Sequence, residues 1–276
     1  MNALGAIGLD IRPVRAELQF RALAGRTHLA RQHTPHPFHI TRPFHHPGDP
    51  EGMATLYLQS SSGGVYSGDD LSLDITTEAG AQAHVTTQAS TIVHDARGRA
   101  GVSQTVNLTI ADGARLDYLP DPAILMTGAK LCNRITVRIG KDAHAMLSDA
   151  QLSHDPEGRA RPFAWLENEL EILGPQGPLL LDRFELAGSD WPARTGGYPC
   201  SGMMIVVGDT SAGPKMLQAA EALPGLYAGL SVFEDRAIAL IRFLASDGAA
   251  LTKALTSMWR AGATTLDGAP PAERRK

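Results

Sequence analysis

The chain has 276 residues, 43% hydrophobic and 20% charged, with a formal net charge of -4. This is the composition of a soluble globular protein, and the length allows one large domain or two small ones. The weak acidic balance excludes a broad positive field and with it nucleic acid as the main partner. No apolar run approaches the roughly 18 to 20 residues that cross a bilayer. Residues 1–10 lack the basic and apolar regions of a signal peptide. The two cysteines, Cys132 and Cys200, lie too far apart in sequence for a CxxC motif and make no disulfide framework. Together these features point to the cytoplasm.

Residues 33–52 are the least regular part. They hold Pro35, Pro37, Pro43, Pro47 and Pro50, and proline offers no amide donor, so an extended surface segment is expected rather than an uninterrupted strand or helix. Six of the ten histidines lie between positions 28 and 46: His28, His33, His36, His39, His45 and His46. Imidazole binds nickel and zinc well, which suggests a loose metal-collecting segment. The bland alternative is a polar loop that happens to contain histidines, and the irregular spacing defines no site.

Residues 54–59 read as a strand. Ser61 to Asp70 is glycine-rich, but it lacks a Gly-Lys-Ser/Thr ending and the G-x-G-x-x-G spacing. It reads as a glycine-permitted turn, in which Asp69 either binds a cation or caps the turn. Leu71, Leu73 and Ile75 then alternate with Ser72, Asp74 and Thr76, the period of a strand. Thr86-Thr87-Gln88-Ala89-Ser90-Thr91 is a small polar run. Its hydroxyls and amide either line a wet channel or satisfy a strand end, and no nucleophile elbow is present. His84 and His94 are close in sequence, but a triad is a matter of geometry.

Alternation resumes at Val106, Leu108 and Ile110, at Leu116 and Tyr118, at Ile135, Val137 and Ile139, and over 166–173 and 179–186. Turn signals separate these runs: Ala79-Gly80, Asp112-Gly113, Gly128, and Gly174-Pro175 with Gly177-Pro178. Asp149, Glu171 and Asp182 stand at strand positions, where burying a charge is costly without a partner. Asp182 either pairs with Arg183 or faces a water-filled cavity.

Two helices are expected. One is capped at Ser211, has Pro214 in its first turn and Met216, Leu217, Ala220 and Leu223 on one face, and stops at Pro224. The other is capped at Ser246 or Asp247 and runs to about Ala261, with Leu251, Leu255, Met258 and Trp259 as a core stripe. Arg274, Arg275 and Lys276 read as a solvated basic tail. The fold class is therefore mainly β, a stacked or superhelical strand architecture with about two helices, the last near the C-terminus. No linker divides the chain, so residues 1–276 form one domain, and no fixed sequence period proves a solenoid.

In this order the motifs resemble the UreD/UreH urease accessory proteins. The resemblance rests on Gly63-Gly64-Val65-Tyr66-Ser67-Gly68-Asp69-Asp70-Leu71, on Gly80 through Thr91, on Gln104 in the next strand, and on Gly113 through Pro122. Leu180-Leu181-Asp182-Arg183, Ile241-Arg242-Phe243-Leu244 and Trp259 complete it. It spans roughly residues 15 to 270. Each motif alone is weak, and the ordered set carries the resemblance.

The resemblance implies a UreD-like domain that is not an enzyme. It implies a scaffold that binds a UreF-type partner, through it a UreG-type GTPase, and apo-urease, and that helps deliver nickel. Nickel is then transient cargo, with no tightly bound cofactor, and the presumed lining of its path is Asp69, Thr86, Thr87, Gln88, Asp149 and Asp182. Possible weak nickel binding falls to His33, His36, His39, His45 and His46. The sequence departs from the family where Ile92 and His94 replace a usual lysine and tyrosine, and where Arg159 replaces a glutamate. Two other readings remain: a hydrolase on a β scaffold using Asp69 and Asp149, and a protein-interaction module without a metal role.

Overall fold

The structure, a computed structural model, describes residues 13–274; the readings made on residues 1–10, Arg275 and Lys276 lie outside them. The alternating runs all become strands. The chain opens with β1 (Val14–Leu23), β2 (Arg26–His33) and β3 (Phe38–Ile40). It then passes back and forth between two sheets through β4 (Ala54–Ser60), β5 (Asp70–Thr77), β6 (Gln82–Thr87), β7 (Thr91–Val93), β8 (Val102–Ile110), β9 (Arg115–Leu119), β10 (Ala123–Met126), β11 (Lys130–Ile139), β12 (His144–His154) and β13 (Trp165–Gly174). After β14 (Gly177–Ala187) and a one-turn helix, α1 (Trp191–Arg194), come β15 (Cys200–Val207), α2 (Ala212–Glu221), β16 (Leu226–Phe233), β17 (Ile238–Ala245) and α3 (Gly248–Asp267).

One sheet has seven strands in the order β14-β13-β11-β8-β5-β1-β2, and the other has ten, with the main order β16-β17-β15-β12-β9-β6-β4-β3. Strands β5, β8, β11 and β13 run parallel in the first, and β4, β6, β9 and β12 run parallel in the second. The centre is therefore a stack of four coils, each giving one strand to each sheet, with antiparallel strands closing both ends. Short strands β7 and β10, together with the second half of β12, make a narrow third side. Of the two architectures expected, the strands adopt the superhelical one. No sequence period betrays it because the corners differ in length from coil to coil.

Strict alternation sends one set of side chains into the coil. In the second sheet these are Ala83, Val85, Leu116, Ala145 and Leu147; in the first they are Leu73, Ile75, Leu108, Val137 and Ile172. A slip of one residue would turn each of these rows outward, so burial fixes the register. The opposite face of the second sheet is also apolar, at Met146, Met204, Val206, Ile241 and Phe243, and α2 and α3 cover it.

The helices refine the expectation. Asp247 caps α3 by accepting the N–H of Ala250 at 2.8 Å, a contact worth about 1 kcal/mol. Helix α3 runs on to Asp267 and ends at Gly268 with φ 73°, a left-handed terminus that suits glycine. Ser211 stands at the N-cap of α2 as expected, but its side chain makes no capping hydrogen bond. It is itself helical, and Asp209 accepts its N–H at 2.9 Å. Leu251, Met258 and Trp259 are buried as a stripe. Phe38–Ile40 forms a short antiparallel strand on β4, while the rest of the proline-rich segment is irregular apart from single bridges. Arg274 corrects the basic-tail reading. Its side chain is only 7% exposed, it pairs with Asp49 at 2.8 Å, and its guanidinium lies 4.8 Å from the centroid of the Trp259 ring.

Candidate functional site

The coil interior is not uniformly apolar. One cluster includes Leu73, Val85, Leu108 and Ile135; a second includes Val65, Val93, Val102, Leu131 and Leu166. Between them lies a cavity of about 760 Å³ lined by residues of both sheets and of the corner loops. It is bounded on one side by the segment Ser61–Val65, of which Ser61 and Gly63 are exposed. Gly64 has φ +131°, and a Cβ there would come within 2.5 Å of the Ile92 carbonyl and 2.8 Å of the His94 ring, so glycine is required for the loop to lie this close. The Tyr66 and His94 rings stack at 4.4 Å, and His94 Nε2 sits 3.0 Å from the Gly63 carbonyl.

Three amides cross the first sheet at this level. Gln104 stands between Val102 and Val106 on β8, Asn133 between Leu131 and Ile135 on β11, and Asn168 between Leu166 and Leu170 on β13. Gln104 pairs in register with Asn133, and Asn133 with Asn168. They face Asp149 from β12 of the other sheet. Asn168 donates its side-chain N–H to Asp149 at 2.6 Å and Asn133 donates at 3.4 Å, while Asn133 also donates to Asn168 at 2.8 Å. Asp149 is buried and has no ion-pair partner among the described residues. Burial pushes its carboxyl above the ordinary range, Asn168 pulls it partly back, and the charge of Asp182 adds to the rise. Burial and the neighbouring Asp149 also raise the Tyr118 phenol.

The sequence-predicted residues divide. Thr87, Gln88 and Asp149 line the cavity, as does His39, whose Nδ1 lies 2.7 Å from Gln59 Oε1. Thr87 accepts the N–H of Asp121 at 2.8 Å. Thr86 points to the opposite face of the sheet, donates to the Leu119 carbonyl at 2.6 Å, and lines a second chamber of about 260 Å³ beneath α3. Pro120 and Asp121, at the end of β9, line both spaces.

Asp69 lines neither cavity; its carboxylate accepts the Tyr66 N–H at 2.7 Å, closing the turn. Asp182 also lies off both. It pairs with Arg242 of β17 at 2.7 Å, while Arg183 points to the other face toward Glu169 at 3.5 Å. Alternation makes a direct Asp182–Arg183 pair impossible. The other histidines are dispersed: His33 and His36 are exposed, His45 Nε2 lies 3.1 Å from the Thr27 carbonyl, and His46 packs edge-on to Phe44. Among the described residues no three His, Cys, Asp or Glu side chains converge on a metal-sized point.

Sequence reasoning passed over Asn133, Asn168 and Gln151, and it used Gln104 only as a landmark. A signal was present: in each of three strands one polar residue interrupts an inward apolar row at the same level. The loop at 155–161, which carries Arg159, is organised by Asp155, which accepts the backbone N–H of Glu157, Arg159 and Arg161.

A sequence model of the family described as UreD urease accessory protein matches residues 13–276. The chain is 40% identical to urease accessory protein UreD 1 of Methylorubrum populi, over 96% of this chain and 92% of that protein. It is 41% identical to its namesake in Methylorubrum extorquens, with the same coverage. It is 33% identical to UreD 1 of Pseudomonas syringae pv. tomato over the whole of both chains.

Proposed function

The chain belongs to the UreD family of urease accessory proteins, and from that premise we propose that it serves urease maturation as a non-enzymatic scaffold through which nickel passes to apo-urease. The observation that carries the reading is Asp149: a buried carboxylate held only by amides, facing a large cavity lined by Thr87, Gln88, Gln104 and Asn133. A carboxylate among amides and hydroxyls offers a divalent cation weak, exchangeable oxygen ligands. Delivery needs that rather than a tight cage. In this reading nickel is cargo, the partners are a UreF-type protein, a UreG-type GTPase bound through it, and apo-urease, and the site of action is the cytoplasm. The exposed histidines His33, His36 and His39, of which His39 lines the same cavity, collect the ion weakly.

A hydrolase is less well supported. Glycoside chemistry needs two carboxyl groups about 5 to 9.5 Å apart across a cleft, whereas Asp69 is committed to the Tyr66 amide and lines no cavity with Asp149. The experiment is deletion of the gene in its urease-positive host, followed by measurement of urease activity and of nickel in the purified urease. Urease that accumulates without nickel, and is restored by the wild-type gene but not by Asp149→Ala, supports the reading. Fully metallated, active urease in the deletion strain overturns it.

A further inference from the structure

The smaller chamber lies on the opposite face of the ten-stranded sheet from the large cavity. Its walls include His84, Thr86, Ser148, Thr252, Trp259 and Arg274. Residues 268–274 are neither helix nor strand. The far end of this segment lies against the proline-rich segment. One side chain pins it there: Asp49, itself 1% exposed, accepts the Ala272 N–H at 3.0 Å and both terminal nitrogens of Arg274 at 3.1 and 2.8 Å.

Closure leaves polar groups unsatisfied. His46 Nε2, Trp259 Nε1 and Arg274 Nε are buried without a protein hydrogen-bond partner, and His84 Nδ1 has only the Asp117 carboxylate, 3.9 Å away. All four belong to this one neighbourhood: His84 packs on Trp259 at 5.1 Å, Arg274 lies over Trp259, and burial and Arg274 together depress the His46 imidazole. Buried polar atoms without partners penalise the closed arrangement, and hydration on opening would relieve them. Asp49 thus fastens the far end of the segment, with Trp259 beneath the Arg274 guanidinium.

We propose that residues 268–274 are a releasable strap, latched by Asp49 through Arg274, whose Arg274 side chain closes the chamber beneath α3. With the strap lifted, His84, Thr86 and Ser148 reach solvent. Because Pro120 and Asp121 border both spaces, the chamber then offers the large cavity a second way out. Only that last consequence rests on the nickel-path reading; the latch itself does not.

The test reads the latch without nickel. In the full chain, Cys132→Ser removes the more accessible thiol, and Ser148→Cys places a reporter in the chamber. The native Cys200 is buried, and burial pushes its thiol up to about 12, so it stays silent. N-ethylmaleimide should label position 148 slowly with Asp49 intact and at least about tenfold faster with Asp49→Asn, with cooperative unfolding retained. Equal rates in the two folded chains overturn the proposal. If Asp49→Asn fails to fold, Arg274→Gln decides: faster labelling supports the latch, while unchanged labelling, or loss of folding in this variant too, shows the segment to be a fixed part of the core. Should the latch hold while urease is nickel-loaded without this protein, only the path reading falls.

Discussion

Asp117 on β9 and Asp149 on β12 stand on adjacent strands of one sheet, and alternation turns them to opposite faces. Outside, under α3, Asp117 accepts two hydrogen bonds from Arg115 at 3.0 and 3.1 Å, and Arg115 also reaches Asp267. Burial alone would raise the Asp117 carboxyl, but Arg115, with help from His84, brings it down to about 2. Inside, the hydrogen bonds to Asp149 come from amides, and burial pushes its carboxyl up. Equal burial with opposite shifts separates two uses of an acidic side chain. The paired one, through Arg115, fastens α3 to the sheet, and the unpaired one has no cationic partner among the described residues.

That contrast can be tested by breaking it. The largest effect is expected from Arg115→Met, which strands Asp117 as an uncompensated buried charge; urea unfolding should show a loss of about 3–5 kcal/mol. Replacing the pair together, Arg115→Met with Asp117→Leu, should recover most of it and leave urease activation unchanged, because the pair does no more than hold. A smaller loss, about 1–3 kcal/mol at neutral pH, is expected from Asn168→Leu, which takes away the nearest donor to Asp149. It should shrink as pH falls through the raised folded value and the acid is protonated.

Asp149→Asn should change stability by less than about 2 kcal/mol while abolishing nickel loading of urease. It should also reveal the sign of each shift. Asp149 has a raised folded pKa, so its contribution is present below the ordinary value of 3.8 and is lost as pH rises through the folded one. Asp117 is depressed, so its contribution is present above 3.8 and is lost as pH falls toward about 2. Unfolding measured against pH in Asp149→Asn and Asp117→Asn should remove slopes of opposite sign. The smallest effect is expected at the surface: Arg134 pairs with Glu167 at 2.7 Å but is 45% exposed, so Arg134→Ala should cost at most about 0.5 kcal/mol in the same unfolding assay.

Much of this was legible beforehand. Period-two runs such as Leu71–Ile75 and Ile135–Ile139 gave strands, because alternation is a local property that survives into the fold. Thr87, Gln88 and Asp149 proved to share one cavity, but the sequence offered no means of bringing them together, since parallel register between strands about thirty residues apart leaves no local trace. Thr86 went to the other face for the same reason that Thr87 did not. Asp69 and Asp182 looked like Asp149 on paper, and their bonds to the Tyr66 amide and to Arg242 are made by residues that no spacing rule connects to them. The amide row could have been found by reading polar interruptions in the inward set as a signal rather than as noise.

The coil stack also sets an order of events during synthesis. Each coil rests on the one before it, so the four can wind up as the chain leaves the ribosome, each docking on an edge that already exists. The outer face carrying Met146 has no such luck. Its cover, α2 and α3, is made only after residue 211, and Arg274 meets Asp49 across 225 positions of sequence. Until the last stretch is finished, a greasy sheet face stands bare. A chaperone or an early-binding partner has most to offer this chain in that interval, and a truncation that spares every coil should still yield insoluble protein.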